Sequence, residues 1–272
     1  MLLQDADLLS QTLTEADLAL SKRFEFLLHV DSAKRLRLYL KVLRNVEPTE
    51  PLSSSLEMRM IQMLTFRLLL KDAQQPEVSW SAGLARLEQS PSAREEFSEL
   101  CEALFDSLKL HSDEEPLIPD SPIFLHRQYT RDEILVGLGC AEMVRKRHTQ
   151  TGRLWLEALN SEVFFVTLDK SDKAFSPTTR YEDFAVSPTR FHWQSQSTTA
   201  EESQIGQRYI QQSRNGAQFL LFVRPKKTDA FVFLGPLRYV SHTGSRPMSI
   251  YWDLAFPMPA WFFEICASLR VA

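Results

Sequence analysis

The chain has 272 residues, 44% of them hydrophobic and 24% charged, with a formal net charge of −4. That is enough apolar material for one large or two modest cores, and no run of about 18 apolar residues indicates a membrane span. The first residues, MLLQDADLLSQTLTEADLAL, carry acids where a secretory signal would carry bases. Three cysteines, Cys101, Cys140 and Cys266, lie far apart and form no CxxC pair. Their odd number argues against a disulfide framework, so a cytoplasmic protein with reduced thiols is expected. The charge is uneven. Residues 120–272 hold 18 Lys+Arg and 15 Asp+Glu, a balance of +3, and residues 1–119 carry −7. A mildly basic C-terminal part beside an acidic N-terminal one is compatible with nucleic-acid binding by the former.

In chain order, the glycine-poor first half reads as helices; Gly83 is the only glycine before Gly137. DSAKRLRLYLKVLRN puts Leu36, Leu40 and Leu43 on one face, with Lys34, Arg37, Lys41 and Arg44 on another. That basic stripe is either a solvated helix face or a surface for phosphates or acidic groups. Ser54-x-x-Glu57 and Ser92-x-x-Glu95 fit capping boxes, in which hydroxyl and carboxylate satisfy free backbone N–H groups at a helix start. Residues 1–112 are thus expected as a helical domain. HSDEEPLIPDSP, with Pro116, Pro119 and Pro122, reads as a polar connector, and 113–122 is assigned as a linker.

Residues 123–272 change character. Thr130-x-x-Glu133 opens a short helix, RDEILVGLG, that Gly139 can stop. EVFFVTL, QFLLFVR, AFVFLG and MSIYWDLAF are β-branched and aromatic runs bounded by turn residues, and they read as strands. TTAEESQIGQRYIQQS is expected as a helix capped by Thr199 and Glu202, and PAWFFEICASLR as a closing helix. Helices and strands do not alternate regularly, so the fold class is α+β: a helical domain, then a compact, mainly β domain forming a curved sheet or barrel with peripheral helices.

Enzyme signatures are missing. The sequence has no P-loop, GxGxxG, GxSxG or HExxH, and its six histidines form no metal-spaced pair. Glu182 and Asp183 are adjacent, so on a strand they would point to opposite faces. A non-catalytic protein without cofactor or metal is expected.

Four segments occur in a fixed order: YTRDEILVGLG (129–139), FFVTLDKSDKAFSPTTRYEDFAVSPTRFHWQSQ (164–196), LLFVR (220–224) and FLGPLRYVSHTGSRPMSIYWDL (233–254). Together they resemble the C-terminal domain of bacterial proteins that join a phospholipase-D-type nuclease and a DEAD/DEAH-type helicase motor, the SauUSI-like modification-dependent restriction enzymes. FEFLLHVDSAKRLRLYL (24–40) resembles the helical segment after the motor in that family. The motor and nuclease motifs are absent, so the chain is either a C-terminal piece or a free-standing relative. The resemblance implies an SRA/PUA-like, base-flipping fold that recognises modified cytosine, above all 5-methylcytosine, in double-stranded DNA. It also implies helicase and nuclease partners in cis or in trans. A protein-interaction and regulatory region coupling such a motor to its partners is the alternative.

A pocket for an extruded cytosine needs flat side chains, a group for the Watson–Crick edge and a small apolar surface. RYEDFAVSPTRFHWQSQ, residues 180–196, supplies the first two kinds. Under the resemblance, Tyr181 and Trp193 are candidates for stacking, Asp183 for the N4 edge, and Gln194 and Gln196 for filling the gap left in the duplex or reaching the orphan base. Trp193 is equally readable as a core aromatic, and Asp183 as a turn residue. On a strand, Gln194 and Gln196 share one face and Trp193 and Ser195 the other. Phosphate-contact candidates are Lys170, Lys173, Thr178, Thr179 and Arg180, then Arg224, Lys226 and Lys227, then Ser241, His242 and Arg246. They cluster in loops between strands, where binding groups tend to sit, although solvated loops have the same composition.

Overall fold

A computed structural model describes residues 14–44, 55–69, 84–85, 87–108, 114–144, 152–169 and 182–271, and the structural statements below concern these. The chain divides into two compact units, one of residues 1–123 with 132–144 and one of 124–131 with 145–272. The class is α+β, with a helical N-terminal unit and a mainly β second unit built on an open, curved, mixed sheet. Among the described residues no helix is long and apolar enough to cross a membrane.

The first unit contains α1 (Glu15–Ser21), α2 (Ala33–Leu43), α3 (Ser55–Leu69), α4 (Pro91–Ser107) and most of α5 (Arg131–Gly137). Thr14 and Asp17 form a complete capping box on α1. Ser32 caps α2 by accepting from the Arg35 N–H. The Glu114 carboxylate adds to that cap, accepting from the Ser32 hydroxyl at 2.7 Å and the Lys34 N–H at 2.9 Å. An anion at a helix N-terminus satisfies unpaired N–H groups and complements the helix dipole. The expected connector 113–122 is therefore packed into this unit from Glu114 onward, with Ile118 and Ser121 also buried.

The box expected at Ser92 does not start α4: the cap is Ser90, two residues earlier, and the helix begins at Pro91, whose fixed φ and missing N–H suit a first turn. Ser54 lies outside the described residues. The basic stripe of α2 is partly engaged. Lys34 pairs with Glu115, Arg44 with Glu102, and the Arg37 guanidinium lies 5.2 Å from the centroid of the Phe105 ring on α4.

Below this surface lies a buried ionic network. Arg35 (0% exposed) pairs with Glu133 (1%), whose other oxygen meets His29 Nε2 at 2.6 Å. Arg35 Nε also donates to the Tyr39 hydroxyl at 3.1 Å. A buried guanidinium is tolerated only with such full pairing.

The second unit holds β1 (Gln128–Tyr129), β2 (Arg153–Leu156), β3 (Ser161–Thr167), β4 (Phe184–Ser187), β5 (Arg190–Gln194), β6 (Gln218–Arg224), β7 (Phe231–Thr243) and β8 (Ser249–Leu254), with α6 (Gln204–Ile210), α7 (Gln212–Asn215) and α8 (Ala260–Val271). The sheet order is β2-β3-β6-β7-β8-β5-β4, with β1 also on β7; β3 and β6 are parallel and the other pairs antiparallel.

β7 is the hinge of the architecture. Its first half pairs with β6 and β1, and its second half with β8. Register shifts lie on either side of the point where β7 changes partners, one at Phe233–Gly235, where Gly235 has φ +92°, and one at Tyr239–Ser241. Such bulges bend a strand and increase its twist, and glycine tolerates the backbone they require.

Alternation places Phe164, Phe191, Trp193, Phe219, Leu221, Ile250 and Trp252 on one face, where Tyr209 of α6 and Phe262 and Cys266 of α8 close the core. Glu162 of β3 is buried beside this core and takes Arg153 Nε at 2.7 Å and the Arg208 guanidinium at 3.2 Å. The opposite face of β3, β6 and β7 carries a second aromatic row, Phe165, Phe222, Phe231 and Phe233. The expected cap of the helix after β5 is displaced: Ser203, not Thr199, accepts from the Gly206 N–H. Thr199 is used in a turn, donating to Gln196 and accepting from Arg246. Glycine is required at 206, since a Cβ there would stand 2.2 Å from the Ala200 carbonyl oxygen.

Candidate functional site

FAVSPTRFHWQ folds as a hairpin of β4 and β5 because two short alternating runs flank a Pro-Thr turn. The Ser187 hydroxyl accepts from the Thr189 N–H within that turn. Phe191 and Trp193 point into the core, while Arg190, His192 and Gln194 take the opposite parity on the outer face. On β8 the same parity gives Tyr251 and Asp253, and on β7 it gives Arg238 opposite Asp253.

Two rows result on this outer face. In one, Phe184 stacks on His192 with centroids 4.6 Å apart, and His192 meets Tyr251 edge-on at 5.0 Å. His192 is the buried middle of the ladder, 5% exposed, and Phe184 and Tyr251 are its half-buried flanks. In the other row, Arg190 grips the Asp253 carboxylate through Nε at 2.8 Å and a terminal nitrogen at 3.3 Å. Asp253 holds Arg190 charged, raising its pKa through the paired hydrogen bond. Arg238, across Asp253 in register, is exposed. A depression of about 560 Å³ opens at this row, lined by Arg190, Arg238, Asp253, Ser187, Thr189 and Val186 among others.

The polar groups of the 180–196 segment brace the open end of the hairpin. Asp183 is half-buried, and its carboxylate accepts from the Gln194 N–H at 2.9 Å. Gln194 is half-buried too, and its side-chain oxygen accepts from the Glu182 N–H at 3.3 Å. His192 Nδ1 donates to the Glu182 carbonyl at 2.6 Å, which fixes the ring's tautomer on that side. Gln196 lies in the following turn, where its carbonyl accepts from the Thr199 N–H.

Trp193 is a core side chain. It is 4% exposed, stacks on Phe164 at 4.2 Å and meets Tyr209 edge-on at 5.6 Å. With its ring occupied in this way, it offers no face to a base. The parity read from the sequence holds: Trp193 and Ser195 are buried on one side, and Gln194 and Gln196 are half-buried on the other. Tyr181, Lys170, Lys173, Thr178, Thr179 and Arg180 lie outside the described residues.

The phosphate candidates fall at opposite ends of β7. At its start, Arg224 is committed: Nε donates to Thr167 Oγ1 at 2.9 Å and the guanidinium sits 4.4 Å from the centroid of the Phe231 ring. Burial lowers its pKa, against the pull of Asp229. Lys226 and Lys227 are exposed in the turn that follows. At the end of β7, His242 Nε2 faces Glu201 at 3.5 Å, and its Nδ1 shares a hydrogen bond with the Tyr239 hydroxyl at 2.6 Å. Ser241 is exposed beside it, and Arg246 reaches Glu202. This end adjoins Gln194, which pairs with Ser249, in turn opposite Thr243.

Sequence reasoning missed Arg190, Arg238, Tyr251 and Asp253. The signal for them was the shared alternation of RFHWQ and SIYWDL, which becomes informative only once the register is known. Among the described residues, no group of three or more His, Cys, Asp or Glu side chains is placed to hold a metal. No curated protein matches the chain. A family model described as "Domain of unknown function (DUF3427)" covers residues 123–264, just over half the chain and every strand of the sheet, and the chain belongs to that family.

Proposed function

We propose that the β-rich unit is the DNA-binding specificity module of a restriction or defence system, reading a modified base, 5-methylcytosine, in duplex DNA with the target nucleotide extruded. The observation that carries this reading is the outer face of β4, β5, β8 and β7. There an aromatic ladder, Phe184–His192–Tyr251, runs beside the arginines of the adjoining row. Aromatic rings replace the stacking an extruded base loses, and guanidinium groups meet the backbone. The SauUSI-like resemblance rests on segments between residues 129 and 254, inside the region the family model covers. In this reading catalysis belongs to helicase and nuclease domains in cis or in trans. The three unpaired cysteines suit the cytoplasm.

A role in docking such partners has its own support. Trp261 and Ile265, one helical turn apart on α8, are 47% and 37% exposed.

The test is binding of the full chain to two duplexes that differ only in 5-methylcytosine, at several salt concentrations. The expected result is a preference for the modified duplex, with log K falling by about 0.9 per phosphate contact as log[salt] rises. Asp183→Asn keeps an acceptor for the Gln194 N–H but removes the charge. It should reduce the preference, worth about 1–3 kcal/mol for one specific base contact, while non-specific binding persists. Equal affinity of the wild-type chain for both duplexes would remove modified-base reading.

A further inference from the structure

The outer face has a spacing that specifies its ligand more narrowly. Along β5, Arg190 and His192 are two residues apart, and along β8 so are Asp253 and Tyr251. The arginine row and the aromatic row are therefore separated by about 6–7 Å, two residues of strand rise. One row holds charge and hydroxyls, and the other holds ring faces. In the charged row, Arg190 is spoken for by Asp253. Among the described residues, Arg238 is exposed and has no carboxylate within salt-bridge distance. The row thus has a net charge of +1. The depression there also presents the Ser187 and Thr189 hydroxyls and, at its edge, the exposed apolar Val186.

The geometry points to a single unpaired DNA strand as the occupant of this face, with a phosphodiester in the depression at Arg238 and Arg190 and the adjoining base against Tyr251, the ring of the ladder nearest Arg238. The deduction rests on the nucleic-acid reading above and narrows its ligand. A base can lie flat on a ring only when it is free of its partner and neighbours, as in a separated strand or an extruded nucleotide. Arg238 carries the phosphate. The Arg190–Asp253 pair is a positioning element that holds β5 and β8 in register beneath it. The acidic groups of the hairpin, Glu182 and Asp183, lie at the far end, beyond His192, so the depression itself is the end of the face that accepts an anion.

The test uses the full chain and a fluorescent oligothymidylate of about twelve nucleotides, within the usual site-size range of single-strand binders. Binding should be salt-dependent. Arg238→Gln should make the salt slope shallower by about 0.7, the share of one phosphate on a single strand, and lower the affinity several-fold. Tyr251→Leu, which keeps an apolar side chain but no ring, should lower affinity fivefold or more and leave the slope unchanged. Arg214→Gln, the same charge change on the exposed α7, should alter neither. Equal effects of Arg238→Gln and Arg214→Gln would overturn the phosphate assignment. If the chain ignores the single strand yet prefers the methylated duplex, the single-strand occupant is wrong and the module reading stands; if it binds neither DNA, both fall.

Discussion

Replacing Trp193 by alanine separates two roles that the sequence leaves open. If the indole belongs to the core, its removal costs stability before it costs binding. An aromatic of this size buries about 150–250 Å², which at about 25 cal/mol per Å² corresponds to about 4–6 kcal/mol. Alanine retains a little of that, and measured Trp→Ala changes in cores run at about 3–5 kcal/mol. The site cannot collapse cheaply, because Phe164 at 4.2 Å and Tyr209 at 5.6 Å are themselves packed against Phe219 and Trp252. The expected loss is about 4 kcal/mol, a fall in melting temperature of about 10–15 °C for a unit of this size. Calorimetry gives the melting shift. Hydrogen exchange at the β6 amides of Leu220, Leu221 and Phe222 reports the same loss inside the sheet. A shift under about 3 °C, accompanied by lost DNA affinity, would refute the core assignment and return Trp193 to a ligand-facing role.

Two further predictions concern the rest of the chain. Glu133→Gln leaves the buried Arg35 without its anion and should cost about 3–5 kcal/mol in urea unfolding, whereas Glu102→Gln breaks the half-exposed pair with Arg44 and should cost at most about 1 kcal/mol; similar losses for both would show that burial does not decide the cost. Burial pushes the Cys101 and Cys266 thiols up to about 12 from an ordinary 9.0, so neither should react with an aromatic disulfide reagent at pH 8 until the chain unfolds. Because their folded pKa values are raised, the stability linked to these thiols is complete below pH 9 and is lost as pH climbs toward 12. Rapid labelling of either thiol in the folded chain would contradict their burial.

The elements legible in the sequence were those whose signal is local. QFLLFVR is β6 residue for residue, because five consecutive large apolar residues, Phe219 to Val223, need no context to be read. EVFFVTL matches β3 within one residue at each end, and PAWFFEICASLR gives α8 with the same shift. AFVFLG reads as a strand ending at Gly235, where Gly-Pro signals a turn. The strand runs on to Thr243 because the bulge absorbs the glycine's positive φ and β8 pairs with the continuation. A capping box marks a helix start well where no rival stands beside it, as at Thr130, directly before α5. At Ser92 and Thr199 a neighbouring Pro91 or Ser203 competed and won, and the motif alone cannot rank such rivals.

The candidate face shows why a site can be composed of visible residues and still be hard to see. RFHWQ alternates two aromatic-bearing faces, Phe191 with Trp193 and His192 with the neighbouring Phe184, so alternation alone identifies two surfaces without saying which one faces solvent. Size leans toward burying the Phe–Trp face, which is what the core requires: Trp252, Phe219 and Phe164 are waiting there. Once that face is buried, parity sends Arg190 outward, and it meets an aspartate 63 residues away. Arg238 reaches the same row from a third strand whose length was itself hidden by a bulge. The binding surface is thus a consequence of register. A one-residue slip of β5 against β8 would leave the fold's composition unchanged, yet bury Arg190 and expose Trp193. The buried indole and the exposed arginine row are two readouts of one alignment. A core defect at Trp193 and a phosphate defect at Arg238 should therefore be separable only while that alignment is kept.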